Sequence, residues 1–184
     1  MVRDIIKKYV QDVCKNENNV FGFSFYEQHI SVVFDYANEL AEVLGANKEI
    51  IHLSAYLHDI SAILDFSTVK EHNVIGSNIA QGILLQNGYP MAKVQNVKQC
   101  IISHSKPMKL GNGSIEEICL SNADAMSKIS NPAYWLYFAY CVRKLNYGEG
   151  RDWYIKMIDT NWDELIEPAK DLIKDTYYSV RNTL

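Results

Sequence analysis

Six side chains have the types and the order to hold metal ions: His29, the adjacent pair His58-Asp59, His72, His104 and Asp124. Neutral imidazole nitrogen suits zinc, iron, manganese, cobalt or nickel, while carboxylate oxygen suits harder ions such as magnesium and can bridge two cations. A His-Asp dipeptide alone carries no weight, because it arises by chance in many chains. Each ligand also has a bland reading when taken singly. His29 and His72 suit a hydrogen-bonded core or a helix start, His104 suits a helix end where a cationic ring is favourable, and Asp124 can pair with Lys128 four residues on. His52 lies outside the ordered set and reads as structural. The remaining four histidines fall in one series with two acids, and burying so many ionisable groups without a cation is costly.

The series divides into two needs. A first dication takes three or four nitrogen and oxygen ligands, which His29, His58, Asp59 and Asp124 supply. A second takes His72 and His104, with Asp59 as the shared anion. Two dications roughly 3.5–4 Å apart can hold a hydroxide between them and accept phosphate oxygens, with the pKa of bound water drawn from 15.7 towards about 7. That chemistry expects Asp59 and His58 at its catalytic centre. Lys106 and Lys109, just beyond His104, are candidate substrate-binding cations, with Lys70 and Lys128 as weaker ones.

Those ligands must be carried by helices, because apolar residues recur at three and four along nearly the whole chain. Val2 to Val13 forms an amphipathic opening helix, broken at Asn16–Asn19. Ser24 with Glu27 has the pattern of a capping box for a second helix that carries His29 and runs to Leu44, where Gly45 ends it. A third begins near Asn47 and leads to His58-Asp59, followed by an irregular stretch to Val69. The next starts at His72, with small Gly76 and Ala80 allowing a neighbour to approach, and stops at Asn87-Gly88. Pro90 opens the helix ending at His104. Ser114 is placed to cap the helix of Asp124, with Glu116 and Glu117 in its first turn. Beyond Pro132 come the aromatic tract Tyr134–Tyr140, read as core more than interface, and helices around Trp153–Ile158 and Trp162–Tyr178. No alternating strand pattern or internal repeat appears, so the expected class is all-α, a compact helical bundle.

Composition bounds the rest. A chain of 184 residues, 48% hydrophobic and 22% charged, is expected to form one domain over 1–184, with a core at 25–130 and helices of 131–184 packed on it. The net charge of −4 argues against general nucleic-acid binding or an anionic membrane surface. It does not exclude a small phosphorylated substrate, since bound dications reverse the local field. Cys14, Cys100, Cys119 and Cys141 form no Cys-x-x-Cys pair and are expected as buried, reduced thiols, consistent with a cytoplasmic location. No run reaches the roughly 18 apolar residues of a membrane span. Exposed rings in the aromatic tract would serve a homodimer contact.

His29, His58-Asp59 and Asp124 in their helical settings resemble the HD superfamily of metal-dependent phosphohydrolases, over about residues 25 to 130. The segments Glu71–Ser77 and Ile101–His104 are similar to those of members with two extra histidines, which hold a binuclear centre. The resemblance implies an HD-type α-helical bundle, one or two divalent ions, and hydrolysis of a phosphomonoester, phosphodiester or nucleotide. Many binuclear members continue His-Asp-Ile-Gly-Lys, whereas this chain has His58-Asp59-Ile60-Ser61-Ala62 and lacks that lysine. Gly88-Tyr89-Pro90 precedes His104 without a His-His pair, which does not support the cyclic-dinucleotide branch. The alternative reading is a catalytically silent HD-type module that binds a nucleotide or a protein partner.

Overall fold

The computed structural model describes residues 2–184, and Met1 lies outside them. It is built of helices, with no strand among the described residues: α1 (Val2–Cys14), α2 (Ser31–Leu44), α3 (Lys48–Leu57), α4 (Ile60–Leu64), α5 (His72–Gln86), α6 (Met91–Ser103), α7 (Ile115–Ser130), α8 (Pro132–Tyr137), α9 (Tyr147–Glu164) and α10 (Glu167–Thr183). The all-α expectation holds.

Local signals account for most boundaries. The Asn47 side chain accepts from the backbone N–H of Glu49 and Ile50 and starts α3. Ser114 and Glu117 form a reciprocal capping box at the start of α7. Gly45 ends α2 in the left-handed region at φ 73°, where a Cβ would be strained. Two expectations fail. Ser24 makes no cap: a π-helical turn, Tyr26–Ile30, runs directly into α2, with Phe25 before it already helical. The break expected between Trp153 and Trp162 lies instead at Leu165-Ile166, so α9 is one continuous helix. Pro168, in the first turn of α10, is what restarts the chain there.

The core is organised around α7, whose residues from Glu117 to Ser127 are all buried. It packs against α2, α3, α6, α9 and α10, so its two ends and most of its faces meet neighbours. Gly76 does what its size predicts. A Cβ there would lie 3.4 Å from the His58 carbonyl oxygen and from Ser61 Oγ, so α5 can approach the α3–α4 junction closely. The aromatic tract is mostly interior: Tyr134, Trp135 and Phe138 are buried, while Tyr137 is 53% exposed. Cys14, Cys100 and Cys119 are buried, and burial pushes each thiol up to about 12, so they are inert at neutral pH. Cys141 is exposed, contrary to expectation. No described helix is long and apolar enough to cross a membrane.

Candidate metal centre

The helices converge four imidazoles and two carboxylates at one point. His29 comes from the π turn that precedes α2, and such single π turns recur at functional sites because they re-aim a side chain. His58 caps the C-terminal end of α3 with its backbone still in the helical region, and Asp59 follows in the sparsely populated bridge region at φ −103°, ψ 11°. On an unbroken helix, consecutive side chains diverge by about 100°. The break brings His58 Nε2 and Asp59 Oδ2 to 3.4 Å. His72 opens α5, which Ser61 holds by donating to the His72 carbonyl at 2.9 Å. Asn73 donates to Ile102 O at 2.8 Å and so ties the start of α5 to the end of α6, where His104 stands. Asp124 comes from the buried face of α7.

The resulting distances form two triads that share one carboxylate. Asp59 Oδ2 lies 3.3 Å from His29 Nε2 and Oδ1 lies 3.4 Å from His72 Nε2 and 3.7 Å from His104 Nε2. His29, His58 and Asp59 can jointly hold one ion, and Asp59, His72 and His104 another. Asp124 stands beside the first triad, with Oδ1 3.5 Å from His29 Nε2. Its Oδ2 accepts from Lys128 Nζ at 2.7 Å, so the ion pair anticipated in the bland reading exists alongside the approach to the cluster.

The second nitrogen of each ring shows what the first is for. His58, His72 and His104 each present Nδ1 to a carbonyl three residues back: Ala55 O at 2.8 Å, Val69 O at 2.7 Å and Ile101 O at 2.6 Å. A carbonyl only accepts, so each Nδ1 carries the proton. His29 Nδ1 meets Ser127 Oγ at 3.0 Å, and that hydroxyl donates to Asp124 O at 2.8 Å, so it accepts from His29. All four neutral rings therefore aim bare Nε2 lone pairs at the centre. His29 and His58 Nε2 are 3.2 Å apart, and His72 and His104 Nε2 3.0 Å. Neither contact can be a hydrogen bond between neutral rings in these tautomers. Asp124 Oδ1 is also buried without a hydrogen-bond partner. Lone pairs facing lone pairs and carboxylates call for cations, and the nitrogen–oxygen donor set fits divalent transition metals.

The electrostatics favour the neutral ring at His29 and His72, but not at His58. Burial lowers the His29 and His72 pKa values. Burial also opposes charge on His58, but Asp59 beside it outweighs that and raises its pKa. The Asp59 carboxyl is held well below the ordinary range despite its burial, chiefly by His58. Asp124 is brought down to about 2, burial again opposing and Lys128 prevailing. Phe25 stacks on His29 at 4.9 Å and Trp135 meets its edge at 5.5 Å, fixing the ring.

Two cavities adjoin the cluster. A small polar one of about 40 Å³ is lined by His104, Lys106, Asp124, Lys128 and Glu164 among others. A larger cleft of about 510 Å³ opens onto Asp59, His72 and Lys128. Lys106 is thus near the cluster. Lys109 lines neither cavity: its Nζ donates to Asp163 O at 3.3 Å and Leu165 O at 3.0 Å, closing the end of α9. His52 sits apart, against Asn38 and the Phe34 ring. Sequence reasoning missed Ser127, Ser61 and Asn73. Only Ser127 left a trace, one helical turn after Asp124.

Residues 26–129 match the family model described as HD domain, more than half of the chain. The chain belongs to the HD domain family. A protein of Clostridium beijerinckii described only as uncharacterized is 37% identical over 65 residues, which is 35% of this HD domain chain and 41% of that relative. The match therefore spans less than half of the relative's length. Among solved structures, a predicted HD superfamily hydrolase from an uncultured Thermotogales bacterium superposes with a TM-score of 0.60 at 22% identity, covering 94% of this chain and 91% of that one. The overall fold is thus shared along most of the chain.

Proposed function

We propose that this protein hydrolyses a phosphate ester or nucleotide with two divalent cations, one held by His29, His58, Asp59 and Asp124 and the other by Asp59, His72 and His104. The observation that carries the reading is the set of four Nε2 lone pairs converging on two carboxylates, each fixed by an acceptor at its own Nδ1. Dications bound there supply a lowered water pKa, towards about 7, and positive charge for the phosphate oxygens. The remaining work belongs to the chain. Asp59 faces both triads through different oxygens and sets their separation. Lys128, which borders both cavities, offers a cation to the phosphate, and Lys106 offers another from the polar side. A water oxygen joins phosphorus, the ester P–O bond breaks, and the alcohol leaves with the proton that water gives up. The same reading treats the chain as one domain, supported by the packing of α9 and α10 directly on α7.

The test is to strip the protein with chelator and reload it with Mn²⁺, Fe²⁺, Co²⁺, Ni²⁺, Zn²⁺ or Mg²⁺. Turnover is then measured on small phosphomonoesters, phosphodiesters and nucleotides. Two ions per chain and dication-dependent turnover of at least one ester class are expected. Two ions bound with no ester hydrolysed under any loading would replace the reading with a silent HD-type module that holds a nucleotide or partner.

A further inference from the structure

The larger cleft beside the cluster is walled by rings. Phe21, Phe66, Trp135, Phe138 and Trp153 line it. They come from four separate parts of the chain: the loop before the π turn, the 3₁₀ turn after α4 (Phe66–Thr68), the α8 segment and α9. The wall is continuous, with Phe21 stacked on Phe138 at 5.5 Å, edge-on to Phe66 at 5.4 Å, and Phe138 tilted against Trp153 at 6.5 Å. Arg143 at the rim lies 5.0 Å over the Trp153 ring. Charge is confined to this rim and to the inner end, where Asp59, His72 and Lys128 face the space. No side-chain amide or hydroxyl is among the lining residues.

We propose that this cleft takes the alcohol part of the substrate, and that the substrate is a phosphomonoester of a flat, largely apolar ring rather than a nucleotide. The proposal rests on the hydrolase reading for the position of the phosphate, at the Asp59 end beside Lys128. A ring laid along this wall buries area against its aromatic and aliphatic side chains. A nucleoside would carry ribose hydroxyls and a base edge into walls that offer them nothing, at a loss of roughly tenfold for each group left unpaired. The volume of about 510 Å³ lies within the usual small-ligand range.

The experiment uses the dication-loaded protein with 1-naphthyl phosphate, AMP and ethyl phosphate as substrates, and 1-naphthylphosphonate as a non-hydrolysable ligand in calorimetry. The kcat/KM for 1-naphthyl phosphate should exceed that for AMP by about tenfold or more. Phe66→Ala alters a half-buried wall on a surface turn; it should raise KM for the naphthyl ester by about fivefold more than it raises KM for ethyl phosphate. AMP turned over or bound as well as the naphthyl ligands would overturn the proposal, as would a Phe66→Ala effect equal on both esters. If nothing is hydrolysed but the phosphonate binds about tenfold tighter than AMP, the hydrolase reading falls and the cleft assignment stands.

Discussion

Ser127→Ala isolates the ligand geometry from the ligands themselves. The hydroxyl is fully buried, accepts from His29 Nδ1 at 3.0 Å and donates to Asp124 O at 2.8 Å. Alanine fills nearly the same space, so packing is kept and the acceptor is lost. A buried N–H left without an acceptor costs roughly 1–3 kcal/mol. The metal-free protein has an escape: the proton can move to Nε2 and donate to Asp59 Oδ2, 3.3 Å away. That tautomer no longer has a lone pair to offer a cation. The metal-free variant should therefore lose about 1 kcal/mol or less, while metal affinity at the His29 side falls about 10–100-fold, or ~1.4–2.8 kcal/mol. The His72–His104 side keeps its three ligands and its affinity. Chelator competition for each bound ion, with urea unfolding in the presence and absence of metal, reads both quantities. Unchanged affinity at both sites, or an equal loss of stability with and without metal, would refute the argument.

Asp59→Ala should remove both ions and all ester hydrolysis together, read by elemental analysis and turnover; an active, metal-free variant sinks the assignment. His72→Ala should lower the metal content from two ions per chain towards one, and a variant that still holds two would show that the triads are divided differently. Metal affinity should fall as the pH drops, because the rings must be neutral to bind; His58, which Asp59 raises against its burial, takes a proton before His29 and His72, which burial lowers. Calorimetry showing an affinity flat from about pH 8 to about pH 5 would exclude imidazole ligands. In the metal-free protein, Asp124 has its pKa lowered to about 2. The stabilisation from this group, about 2–3 kcal/mol, is then present above its unfolded value near 3.9 and lost as pH falls towards 2. Asp124→Asn should flatten that part of the acid-unfolding curve, and an unaltered curve would remove Asp124 from the account.

The candidate cluster was legible because metal chemistry restricts residue type, and because its residues sit beside apolar stripes that dictate helices. The boundaries at Gly45, Asn47 and Ser114 were legible for a similar reason: one residue alone settles the local backbone. Ser24 and Glu27 had the cap pattern and did not form it. The backbone before His29 is already helical at Phe25 and continues through a five-residue turn, a geometry set by where the His29 ring must pack between Phe25 and Trp135. Tertiary packing chose that turn, and a local pattern cannot register it. The positioning residues Ser61, Asn73 and Ser127 were invisible for the opposite reason. Polar residues within helical runs have no special spacing, and their partners are 11, 29 and 98 residues away in the chain.

The aromatic tract shows the deeper limit. Tyr134, Trp135 and Phe138 are buried, as a core reading expects, and the Tyr134 hydroxyl donates to Phe21 O to hold the opening loop. Trp135 and Phe138 also wall the cleft. Core and cleft make the same demand on a helix, an apolar face at a spacing of three to four, so periodicity cannot separate them. What distinguishes them is whether a neighbouring element closes the space. Here the π turn Phe138–Val142 ends the segment, and the chain leaves through Lys144 at φ 58°, so α9 returns with Trp153 on the far wall instead of covering the rings. Shortening that return until α9 packed flat on Phe138 would turn the cleft into core without altering any ligand. The candidate ligands all fall between His29 and Asp124, whereas the rings of the cleft come from Phe21 and Phe66 as well as from Trp135, Phe138 and Trp153, so the two are set by partly different lengths of chain.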